Sequence, residues 1–191
     1  MNQDIFIHVR VLMGVVLGLG LTRMLAGVAR FAQHPKQKAL YVAHLLWIAV
    51  VIVMSVHYWW FEFGLIRISP WTFELFVFVL SYAFLLYLMA GLLIPEEMGE
   101  YQSYGDYFIS RRRWFFALLA LSVPVDFIDT AAKGPAYLHS LGTEYPIRLA
   151  ATFALCAAGA WTKNRRVQVA LAALYLLYLV SWILRVYRVL E

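Results

Sequence analysis

Residues 75–94 read LFVFVLSYAFLLYLMAGLLI, a run without a single charge that Pro95 closes. At about 1.5 Å per residue it is long enough for the roughly 30 Å of a bilayer's hydrocarbon core. Pro70 suits a first helical turn and Pro95 a stop, so the run predicts a spanning helix over 70–94. Similar continuous apolar runs predict helices over 39–63 and 166–189. A further helix is expected over 5–31. Its segment Val11–Leu21, followed by Ala26-Gly-Val-Ala29, has some features of a secretory leader. Asp4, His8 and Arg23 argue for a first membrane helix instead.

Two more spans are shorter or interrupted. In 113–132 the clean apolar run ends at Val125, with Pro124 inside it and Asp126 and Asp129 after it. In 146–162 the apolar stretch lies between Arg148 and Lys163, both of which are expected to snorkel outward. The tyrosines and basic residues of 96–112 suggest a short helix lying on the membrane surface. Lys133–Tyr145, with Gly134, Pro135 and Gly142, is expected to be an irregular loop. The reading is therefore one all-α polytopic membrane bundle over 1–191, with six transmembrane helices and one interfacial segment.

Composition agrees. Of the 191 residues, 63% are hydrophobic and 14% charged, with a mean hydropathy of +0.72. A soluble domain is nearer about 45–50% and 25%. Little sequence is left for a soluble catalytic domain, and the net charge of +5 reads as loop charge that sets topology, not as a nucleic-acid surface. The face bearing Lys36 and Arg111–Arg113 holds the larger share of Lys and Arg. It is expected to be cytoplasmic in a cell inner membrane, with both termini outside.

The polar chemistry is sparse. Arg23 lies about 10 Å inside helix 1, on a stripe with Gly20, Gly27 and Arg30. A charge there faces protein, water or a snorkelling path to lipid phosphate. Glu62, Glu74, Asp126 and Asp129 gather near the opposite face at the depth of Arg10, Arg148 and Arg185. Apolar sequence follows Glu74, which is expected to face the bundle. Arg23, Glu74, Asp126, Asp129 and Arg148 are thus the candidates for an ion or solute pathway, or else interhelical ties. Arg111, Arg112 and Arg113 beside Trp114-Phe115-Phe116 are candidates for an anionic lipid headgroup.

No cofactor is expected. A haem would need His8 and His57 as axial ligands, and no second ligand pair accompanies them. His57 also belongs to HYWWFEF (57–63), an aromatic belt. His44 has no evident partner. The lone Cys156 permits no internal disulfide, and no Cys/His metal spacing occurs. Phosphate-loop, HExxH, GxSxG and potassium-filter motifs are missing, and nothing marks an enzyme. Small-residue stripes at Gly14, Gly18, Thr22 and Ala26, and along the alanines of 150–160, allow close helix contact within or between chains. The leading expectation is a homo-oligomeric ion or small-solute channel or transporter. The alternatives are a non-transporting accessory, sensor or lipid-binding protein with a partner membrane protein, and an intramembrane haem protein or enzyme.

Overall fold

The computed structural model describes residues 2–34, 38–68 and 70–187. Among the described residues there are seven α-helices and no strand: α1 (Asn2–Gln33), α2 (Val42–Phe61), α3 (Phe73–Leu93), α4 (Tyr104–Ala132), α5 (Pro135–Ser140), α6 (Glu144–Trp161) and α7 (Arg165–Val186). A 3-10 turn, Glu62–Arg67, extends α2. Lys36 and residues 188–189 lie outside the described residues. The all-helical expectation holds, and five helices are long and apolar enough to cross a membrane: α1, α2 with its extension, α3, α4 and α7. The sixth expected span is a helix of 18 residues. Glu144 and Arg148 in its first turns keep α6 out of that set.

Three boundaries differ from the sequence reading, each for a local reason. The helix expected from Pro70 starts at Phe73, because the Thr72 hydroxyl accepts from the Leu75 N–H at 3.3 Å and caps it. No separate interfacial helix occupies 96–112. Ser103 caps the Asp106 N–H at 3.1 Å, and α4 runs unbroken from Tyr104 through Arg111–Arg113 and past Pro124. Nothing in 104–113 stops a helix, and Pro124 removes one hydrogen bond without ending the run. The expected loop after Lys133 contains α5, with Gly134 at φ +107° and Gly142 at φ +66° making the turns on either side of it.

Helix α1 packs along α3, α2 along α7, and α4 along α6, while α3 also meets α2 and α4. Gly20 brings α1 to the backbone of Tyr87, and a side chain at Gly27 would collide with Ile94. The stripe that holds Arg23 is therefore a helix–helix contact. The stripe of Gly14, Gly18, Thr22 and Ala26 turns partly or wholly outward. At the centre, Trp47 is fully buried against Phe115 and Phe116, with ring centroids 5.1 and 5.2 Å away. Gly159 of α6 lies directly on the Phe116 ring. Outside this core the helices remain apolar, with Val11, Val15 and Leu19 on α1, Phe84 and Leu88 on α3, and Leu174, Leu177 and Leu184 on α7 exposed.

One end of the bundle is organised by the terminus of α3. Its last carbonyls find side-chain donors on three other helices. The Tyr107 hydroxyl donates to Leu92 O at 2.6 Å, His44 Nε2–H to Leu93 O at 2.6 Å, and Arg23 to Ile94 O at 2.9 and 3.3 Å. His44 is fully buried among Phe31, Tyr104, Tyr107 and Phe108, so it does have a partner.

Two outcomes follow for thermal unfolding in detergent. His44→Phe keeps the ring packing and strands the Leu93 carbonyl, with an expected loss of about 1–3 kcal/mol. Gly159→Ala forces a methyl into Phe116, which is hemmed in by Trp47 and Phe115, with an expected loss of about 1–3 kcal/mol. Adding Phe116→Leu should return part of the second loss.

Candidate functional site

The opposite end is built from the last turns of α4 and the first turns of α6. Asp126, Asp129, Thr130 and Lys133 follow a 3–4 spacing and share one face of α4. Glu62 arrives at the end of α2, and Tyr145, Arg148 and Thr152 lie on the inner side of α6.

These side chains form two neighbouring clusters. In the first, Lys133 Nζ donates to Asp129 Oδ2 at 2.6 Å and to Glu62 Oε1 at 3.0 Å, with all three side chains at most 2% exposed. The Lys133 ammonium also lies 3.2 Å from the Phe61 ring centroid. In the second, Arg148 donates to Asp126 Oδ2 at 2.7 Å, and the Tyr145 hydroxyl reaches the same oxygen at 2.9 Å. The Tyr145 hydroxyl is also 2.9 Å from Thr130 Oγ1. Arg148 does not snorkel outward. Its guanidinium sits between Tyr145 and Trp182, held inward by the Asp126 carboxylate.

A cavity of about 40 Å3 opens beside the Asp126–Arg148 pair, between α2, α3, α4, α6 and α7. That is room for at least one water. Its polar wall is His57, Tyr58, Tyr82, Ser122, Asp126, Arg148, Thr152 and Tyr175, and its apolar wall includes Met54, Val123 and Leu179. Arg148 Nε and His57 Nε2 are buried there without a protein partner. Groups of this kind are the ones that hold ordered water or a small polar ligand.

The structure therefore brings together three of the expected pathway residues, Asp126, Asp129 and Arg148. It separates the other two. Arg23 is at the far end, capping α3 and reaching Glu96 at 3.3 Å. Glu74 does not face the bundle: it is exposed in the first turn of α3, where the chain has only just left the Thr72 cap. The proposed haem pair is also split. His8 is exposed, whereas the His57 ring packs on Tyr187 at 4.7 Å and Phe61 at 5.9 Å. The arginine run of α4 is divided by helical geometry. Arg111 bonds the Tyr101 hydroxyl at 2.7 Å, Arg113 is exposed, and Arg112 is buried with a bond to Ile109 O at 2.6 Å. Among the described residues no group of three or more His, Cys, Asp or Glu is arranged to hold a metal ion.

Sequence reasoning missed Lys133 as a cluster member, although its i+4 relation to Asp129 was the available signal. The tyrosines 82, 145 and 175 gave none, since a tyrosine in an apolar helix reads as core.

The chain matches no protein-family model, no curated protein and no solved structure. The site is read from its own geometry.

Lys133→Met removes the cation that bonds both buried carboxyl groups. The expected cost is about 3–5 kcal/mol, read as a lower midpoint of thermal unfolding. The same change at exposed Lys163 should leave the midpoint where it is.

Proposed function

We propose that this chain is an integral membrane protein that carries a small ion or polar solute through the chamber at Asp126 and Arg148. The observation that supports the reading is a water-sized polar cavity, with an ion pair and unpartnered donors in its wall, inside a bundle whose helices are apolar on the outside as well as the inside. A helix apolar all round belongs in a large core or a bilayer. Charged groups in such a bundle face one another or a wet path. A purely structural tie needs no cavity beside it.

In this reading α6 is the sixth span. Its polar groups turn inward, with Arg148 neutralised by Asp126, and Ala150, Ala151, Ala154, Ala157 and Ala158 line its outer face. Mean hydropathy along α6 counts the arginine but not its partner. The cavity's size favours protons and small ions over larger solutes. The end bearing Lys38, Arg111, Arg113 and Lys163 faces the cytoplasm of an inner membrane by the excess of positive charge. The alanine face of α6 and the outward glycines of α1 suit a second copy, and self-association is part of the proposal. The same small-residue faces also suit a helix of a different membrane protein, which is the alternative reading of an accessory subunit.

Flux of protons, potassium and chloride into proteoliposomes tests this. The double variant Asp126→Asn/Arg148→Gln keeps the cavity's shape and charge balance and removes the pair. Flux in the wild type that disappears in the folded double variant is the expected result. No flux of any of the three from correctly inserted wild type overturns the transport reading for these ions and favours the accessory one.

A further inference from the structure

The buried Glu62–Asp129–Lys133 cluster holds two acids and one base. Lys133 satisfies one oxygen of each acid. The second oxygens, Glu62 Oε2 and Asp129 Oδ1, are buried with no donor from the protein. Glu62 is fully buried and the Asp129 side chain is 1% exposed. Both carboxyl groups bond the same Lys133 Nζ, at 3.0 and 2.6 Å, which holds them side by side. Two ionised carboxylates at that separation repel, and each unpartnered oxygen out of water is costly.

Among the described residues no other donor bonds these oxygens. From α1, Arg10 is near enough to act on Glu62 through its charge. However, its guanidinium is stacked 3.4 Å from the Phe63 ring centroid, and its Nε and one terminal nitrogen make no hydrogen bond. From α2, the Tyr58 hydroxyl is committed to Val79 O at 2.7 Å, and His57 turns its ring to Phe61 and Tyr187. Tyr82 of α3 lines the cavity beside Asp126. On α4, Asp126 is taken by Arg148 of α6 and by Tyr145. Tyr137 of α5 bonds the Tyr187 hydroxyl that follows α7.

We propose that Glu62 and Asp129 together bind one proton, held as a carboxyl–carboxylate hydrogen bond beside Lys133. One proton joins the two orphaned oxygens, gives the cluster equal positive and negative charge, and leaves the Lys133 contacts as they are. The ligand of this site is a hydrogen ion, taken from and returned to water with no other bond made or broken. The inference stands on the cluster alone. Its extension, that the proton is an ion this protein carries, rests on the transport reading.

Infrared spectroscopy of the protein in an ester-free detergent at neutral pH tests the site without any flux measurement. The wild type should show a buried carboxylic acid C=O stretch that shifts in D2O. Glu62→Gln and Asp129→Asn should each lose it, because either amide replaces one partner of the shared proton. The Asp126→Asn/Arg148→Gln variant should keep it. Absence of the band from the wild type overturns the proposal, and that arm requires no variant to fold. A band that persists in both amide variants also overturns it. If the band behaves as expected and no proton flux is found, the site stands and only its extension to transport falls.

Discussion

The bundle depends on what happens at the end of α3. Pro95 keeps Ile94 out of the helical region, Ile94 is extended at φ −116° and ψ 92°, and the last carbonyls of the helix lose their usual partners. They are taken up by Tyr107 of α4, His44 of α2 and Arg23 of α1, one donor from each of three helices. For helices apolar on every side, burial alone does not select a neighbour or a depth. Three hydrogen bonds to consecutive carbonyls do both, because each requires one register of its helix against α3. The positive charge of Arg23 also meets the negative end of the helix dipole. An arginine well inside a long apolar helix, which suggests a pathway when read in isolation, is here part of the frame.

The other end is held by charge instead. Helices α2 and α4 meet through Glu62, Asp129 and Lys133, and α4 and α6 through Asp126 and Arg148. Glu144 of α6 closes on Arg185 of α7 with bonds of 2.6 and 2.7 Å. The two ends do different work. The α3 end has buried aromatic rings around its histidine. The charged end leaves a cavity, and its polar groups are only partly satisfied by the protein.

Much of the architecture was legible before any tertiary contact was known. The uncharged runs, their lengths and the prolines at their ends placed the long helices, because helix formation in an apolar stretch is decided locally. The boundaries that shifted did so at caps, where the Thr72 and Ser103 hydroxyls choose the first turn. Of the candidate residues, Asp126, Asp129 and Arg148 were picked from charge in an apolar context, and the structure brings these three to one end of the bundle. Glu74 was misplaced because apolar sequence after a carboxylate does not say which side of the helix the carboxylate occupies.

What the sequence alone determined is the class: a chain too apolar for an ordinary soluble domain, folded as long helices, with a few charges that must be matched to one another. Composition and periodicity carry that much because they are properties of single segments. Which charge meets which was decided only by the tertiary structure. Arg148 is 22 residues from Asp126, and Lys133 is 71 residues from Glu62. Helices that are apolar all round carry no mark of the face that turns inward. Partner choice then depends on close approaches such as Gly20 to Tyr87 and Gly159 to Phe116, and these exist only once the helices have assembled.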